Sequence, residues 1–139
     1  MPGEMKREEA SRGAVNVGLQ NPAVIKRTWE ILPYEPGKCG VTWRLSHGWT
    51  DSMGTAAEAE NNGYYNSHGF ILIGLAGKGQ GANYVGTPEV GDAIVMPSWA
   101  GGLGHVGTSL GNGTYISNKN GIRTVEDIPK GAHVWRQVR

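Results

Sequence analysis

The spacing of apolar positions changes along the 139-residue chain. In the first third it is helical. Ile25, Trp29 and Leu32 share one face of a predicted helix that opens at Asn21-Pro22. There Asn caps free N–H groups, and Pro at the first helical position forfeits no bond. The helix is expected to end before Pro33, where Pro33–Lys38 reads as a rigid turn. Val41, Leu45 and Trp49 then recur every fourth residue and predict a second amphipathic helix over 39–49. Residues 55–60 (TAAEAE) fit a short third helix.

Residues 61–90 are ambiguous. Phe70–Ile73 fits a buried strand or a core helix segment, and Gly74–Gly86 reads as a long loop. Beyond residue 90 the period becomes two. Gly91-Asp92 opens the apolar run Ala93–Met96. Val106, Thr108 and Leu110 alternate with His105, Gly107 and Ser109. Gly111-Asn112-Gly113 is a hairpin signal, Tyr115-Ile116 returns the chain, and Ile122–Val125 and Val134–Val138 add two short strands. Helices first and an antiparallel meander afterwards predict an α+β fold: N-terminal helices packed on a small antiparallel sheet.

Composition narrows the class. Glycine is abundant, 23 residues, without a G-X-Y period, so the chain is not collagenous. A 38% hydrophobic fraction with five Trp argues against a disordered chain. No apolar run is long enough to span a membrane. The net charge is +1 with scattered Lys and Arg, which gives nucleic acid no basic stripe. Residues 1–13 (MPGEMKREEASRG) are expected to be a mobile segment before one domain, 14–139. The N-terminus shows no charged start followed by an apolar core, so no secretory signal is expected and synthesis in the cytoplasm follows. No cofactor is expected, and a single cysteine excludes a cysteine metal cluster.

That cysteine, Cys39, opens the second predicted helix, where the dipole and free N–H groups favour the nucleophilic thiolate. The bland alternative is a buried small hydrophobe. Of four histidines, His47 is two turns further along the same helix and out of reach of the sulfur. His68 has no assignable place, and His133 near the last strand reads as structural. His105 begins a strand directly after the glycine-rich Ala100–Gly104 loop. It is held by the sheet with its approach open, which suits a general base. A third group should orient its imidazole. A three-residue Gly111–Gly113 loop places Ser117 on the His105 face; a two-residue Asn112-Gly113 loop places Asn118 and Asn120 there. Asp92 reads as a strand-start residue bonding a backbone N–H rather than as a catalytic acid.

These segments carry a resemblance. Gly37-Lys38-Cys39-Gly40-Val41-Thr42-Trp43 resembles the nucleophile segment of NlpC-type and CHAP cell-wall cysteine hydrolases. Gly91–Val95 is similar to the strand before their histidine, and Gly104–Asn118 to the hairpin that carries it. The resemblance implies a papain-like core in which Cys39 attacks an amide carbonyl and His105 relays the proton. The third polar position of that pattern is held here by Ser117, where another histidine is common, with Asn118 as the neighbouring candidate. Thr108 stands where an aliphatic residue is usual. The implied substrate is the peptidoglycan stem peptide, cut beside D-glutamate or at the muramoyl–L-alanine amide. Trp99 and Tyr84, with the 74–86 and 97–104 loops, are candidate groove walls. A lone catalytic domain of this kind fits a type VI secretion amidase effector, with a cognate immunity protein as partner, or a phage lytic enzyme; either acts in the cell wall or periplasm of a target cell. Two other classes remain: a papain-like deamidase or transglutaminase-type toxin acting on protein glutamine, and a non-catalytic binding domain. Product masses separate the first from hydrolysis, and the reactivity of the Cys39 thiol separates the second.

Overall fold

The computed structural model describes residues 38–139, so the expected mobile segment 1–13, the Asn21–Leu32 helix and most of the Pro33–Lys38 turn lie outside the described residues. Three helices, α1 (Cys39–Ser46), α2 (Ala56–Asn61) and α3 (Tyr64–Ser67), precede six strands. The strands are β1 (Phe70–Leu75), β2 (Ala93–Met96), β3 (His105–Ser109), β4 (Thr114–Lys119), β5 (Ile122–Asp127) and β6 (His133–Gln137). The strands form one antiparallel sheet in the order β1-β6-β2-β3-β4-β5. The architecture is α+β. Among the described residues, no helix is long and apolar enough to cross a membrane.

α1 is shorter than the 39–49 periodicity predicts. Gly48 adopts φ +81°, its N–H bonds Leu45 O, and the Trp49 N–H bonds Arg44 O. That is a Schellman stop, and it needs a residue free to enter the left-handed region. α2, expected over 55–60, begins at a reciprocal capping box between Thr55 and Glu58.

The sheet departs from a simple meander. Only β2–β5 run as neighbours in chain order; Phe70–Leu75 is a strand, and β6 returns to lie between it and β2. Both faces of the central strand β2 are buried. On the helix side, Trp43 of α1 packs against Tyr65 and Phe70, with ring centroids 5.2 and 5.5 Å away, in a cluster with Val95, Val106 and Trp135. On the other side, Ile94, Met96, Tyr115 and Val134 form a second cluster, flanked by Trp99. A sheet with two apolar faces explains why β2 reads as a continuous apolar run rather than an alternating one.

Asp92 is 2% exposed and is held as the sequence predicts, accepting from the Glu89 N–H at 2.9 Å. It also takes a bidentate pair from Arg136, at 3.0 and 2.8 Å. Burial pushes its carboxyl above the ordinary value while Arg136 acts the other way.

The Gly74–Gly86 segment folds back on itself. It bridges Leu75, the last residue of β1, to Tyr84, and Gly77 to Gly86.

Candidate active site

Cys39 is the first residue of α1, and α1 packs on β3 and β4. Its thiol points at the start of β3, 3.9 Å from the Gly104 carbonyl, where it acts as donor. Burial pushes the thiol pKa above its ordinary value of 9.0; the amides of Val106, Gly40 and Cys39 itself pull it down but do not prevail. The expectation of a thiolate favoured by the helix start is therefore corrected. Desolvation by the packed sheet end outweighs the amides.

His105 opens β3. Val106 belongs to the helix-side cluster, so by strand alternation His105 and Gly107 project to the opposite side. Cys39 and His105 both line one cleft of about 440 Å³ at the end of the sheet. The hairpin register is the three-residue one: Thr108 pairs with Ile116, Ser109 with Tyr115, and the Leu110 N–H bonds Thr114 O. That register brings Ser117 beside His105, with Nε2 2.8 Å from Ser117 Oγ. The bond can form with Nε2–H as donor, which leaves the lone pair on Nδ1. Burial, with the positive charge of Lys119 adding to it, holds the imidazole below its ordinary 6.5; Glu126 opposes.

Gly107 makes this arrangement possible. A Cβ there would stand 2.5 Å from the Tyr115 ring and 2.9 Å from Ser117 Cβ. Its absence lets the Tyr115 ring lie across the sheet, edge-on to His105, with centroids 6.1 Å apart. Trp99 stacks on the imidazole, 5.7 Å away and 20° from parallel. Lys119 Nζ lies 5.6 Å above the Trp99 ring.

Asn118 is buried on the other face, away from the imidazole. Its amide donates to Thr42 Oγ1 of α1 at 3.0 Å, and its carbonyl oxygen accepts from the Gly121 N–H at 2.8 Å. It also reaches the cleft wall, and it fastens the cysteine helix to β4 rather than orienting His105. The two-residue Asn-Gly turn occurs one hairpin later, at Asn120-Gly121, where Asn120 has φ +54° and Lys119 pairs with Ile122.

Trp99 lines the cleft, as do Leu103 and Gly104 of the predicted 97–104 loop. Tyr84 does not; its ring lies against Gly79 and under Lys130, and no residue of 74–86 reaches the cleft. Its placement as a groove wall is corrected. The 74–86 segment is anchored beyond β1, at the sheet edge away from β3 and β4. The other histidines are engaged elsewhere: His68 with Asp51 at 2.8 Å, His133 with Glu60 at 2.7 Å, and His47 stacked on Trp49.

Sequence reasoning passed over Lys119, Tyr115 and Glu126. Lys119 lies two residues beyond Ser117, hence on the same face, and that alternation was the available signal. Among the described residues no group of His, Cys, Asp and Glu gathers as a metal site would require. Compared with known proteins, the chain matches no protein-family model, no curated protein and no solved structure.

Proposed function

We propose that the protein is a papain-like cysteine hydrolase of the NlpC or CHAP kind that cuts an amide bond of peptidoglycan. The observation that carries this reading is the bond from Ser117 to His105, a residue that lines the same cleft as Cys39. It fixes one imidazole nitrogen and leaves the other as a base at the mouth of the nucleophile helix.

The chemistry runs through these groups. Cys39 Sγ attacks the substrate carbonyl as His105 Nδ1 takes the thiol proton; for this the thiol must leave the Gly104 carbonyl. The oxyanion forms beside the amides at the start of α1, whose first-turn N–H groups have no partner within the helix. The tetrahedral intermediate collapses, Nδ1–H protonates the leaving amine, and a thioester remains. A water, deprotonated by Nδ1, then releases the acid and restores the thiol. Ser117 holds the ring throughout, Trp99 stacks on it, and Leu103, 59% exposed, gives the cleft an apolar lip. The stem peptide is the substrate. The cell wall of a target bacterium is the site of action, reached as a type VI effector or as part of a phage lytic enzyme. For an effector, a cognate immunity protein would occlude this cleft.

The deciding experiment is a digest of defined muropeptides read by mass. A gain of water across one amide bond with wild-type protein, and none with Cys39→Ala, is expected. No cleavage of any muropeptide, with deamidation of a protein glutamine instead, would replace this reading with the toxin one.

A further inference from the structure

The cleft has a charge bias that the chain as a whole lacks. Along the sequence 13 Lys and Arg are nearly matched by 12 Asp and Glu. Among the described residues that line the cleft, the charged side chains are Lys38 and Lys119, and no Asp or Glu joins them. Lys38 comes from the start of α1 and Lys119 from the end of β4. Two separate elements thus bring a cation each to the cleft that Cys39 and His105 line.

The two cations are held differently. Lys119 shares the Ser117 face of β4. Its Nζ lies 5.6 Å over the Trp99 ring, which in turn stacks on His105. Glu126 Oε2 accepts one of its three N–H groups at 2.9 Å. Glu126 does not line the cleft, and the Lys119 side chain is 42% exposed, so donors remain for a ligand. Lys119 also acts on the imidazole more strongly than Glu126 does. Lys38 stands at the N-cap of α1, where its side chain makes no capping bond. The first turn of α1 holds no acidic residue. A cation at that end is disfavoured by the helix dipole, so a local rule is broken at the cleft wall. An anion bound between the two lysines would offset that cost.

We propose that Lys38 and Lys119 form a subsite for a carboxylate carried by the substrate, so that the protein selects an amide flanked by a free carboxylate over one flanked by a carboxamide. This rests on the hydrolase reading and deepens it. A stem-peptide glutamate linked through its side-chain carboxyl keeps its main-chain carboxylate free, and amidation of that group removes the charge. The carboxylate accepts from both ammonium groups, whereas a carboxamide also turns an NH2 donor toward them. Both cations keep contact with solvent, so the selection is modest for each lysine and weakens with salt.

Two muropeptides that differ only in that carboxylate or carboxamide test the subsite. Rates are read at pH 8, where His105 is neutral even after loss of the Lys119 charge. In wild-type protein the carboxylate form should show a KM about tenfold lower at low salt, with kcat alike for the two. Lys38→Met and Lys119→Met should each reduce that ratio to about threefold, and the double variant to about one. Lys119→Arg should keep it. Equal KM values in wild type, or a tenfold ratio that survives in the double variant, would overturn the subsite. If wild type cuts neither muropeptide, the hydrolase reading falls, and binding of the same two compounds, followed by NMR at the Trp99 indole, decides the subsite. Tighter binding of the carboxylate form that is lost in the double variant supports it; equal or absent binding overturns it.

Discussion

His105 Nε2 and Ser117 Oγ lie 2.8 Å apart because the β3–β4 loop holds three residues and not two. One residue fewer would turn every β4 side chain to the other face of the sheet and put Asn118 where Ser117 stands. The two neighbours therefore do different work, and substitution separates them.

If His105 is the base, Ser117→Ala should reduce hydrolysis by about tenfold or more, at a stability cost of about 1 kcal/mol for the buried bond it removes. Asn118→Ala should cost about 1–3 kcal/mol of stability, because it strands the Gly121 N–H and loosens α1 at Thr42. Denaturant melts and initial rates measured side by side check this. An inactive but stable Asn118→Ala protein would contradict it.

Cys39→Ala should abolish cleavage and shift stability by no more than about 1 kcal/mol, because the side chain is small and only partly buried. Turbidity loss of purified peptidoglycan, with a thermal melt of the same sample, measures both.

Gly107→Ala should be among the most damaging small changes in the sheet. The added methyl meets the Tyr115 ring and the Ile116 carbonyl, and overpacking of this kind costs about 1–3 kcal/mol. Activity should fall further than stability, since Tyr115 must move away from His105. Wild-type rates in this variant would show that the Tyr115–His105 contact is idle.

Burial moves Cys39 and His105 apart in pKa, the thiol up and the imidazole down. The resting pair at neutral pH is thus thiol and neutral imidazole, not an ion pair. Hydrolysis should hold its rate to pH below 6.5 and fall only as His105 protonates, while alkylation of Cys39 by iodoacetamide should climb above pH 9.0. The sign for stability follows. A histidine with a depressed folded value contributes stability that is complete above its unfolded value and is lost as pH falls through the folded one. Melting temperature should therefore drop on acidification, and less steeply in His105→Phe. Rapid alkylation at pH 6 would contradict the neutral pair.

Arg136→Met should cost about 3 kcal/mol, because it leaves the Asp92 carboxylate buried without its bidentate partner. Equilibrium denaturation measures it. The pair lies away from the cleft, so the residual folded protein should keep its rate per molecule.

Local signals made the candidate site readable in part. A cysteine at a helix start, a histidine after a glycine loop and Trp99 in that same loop all lie where short-range chemistry puts them. Ser117 was readable only as one of two alternatives, since Gly111-Asn112-Gly113 admits both loop lengths. Three features depended on distant parts of the chain. The direction of the Cys39 shift follows from packing of the sheet end against α1. The position of Tyr84 follows from where β1 ends. The insertion of β6 between β1 and β2 follows from Trp135 joining Phe70 and Trp43 in one cluster, which no window of neighbouring residues reveals.

That insertion divides the sheet into pairings that are near and far along the chain. Strands β2 to β5 are joined by short connections and can pair as each is made, whereas Phe70 must wait for Gln137. Closing the longer loop is the slower event. The half bearing His105 and Ser117 can thus order early, and the β1–β6 seam is the place where amide exchange should first betray opening.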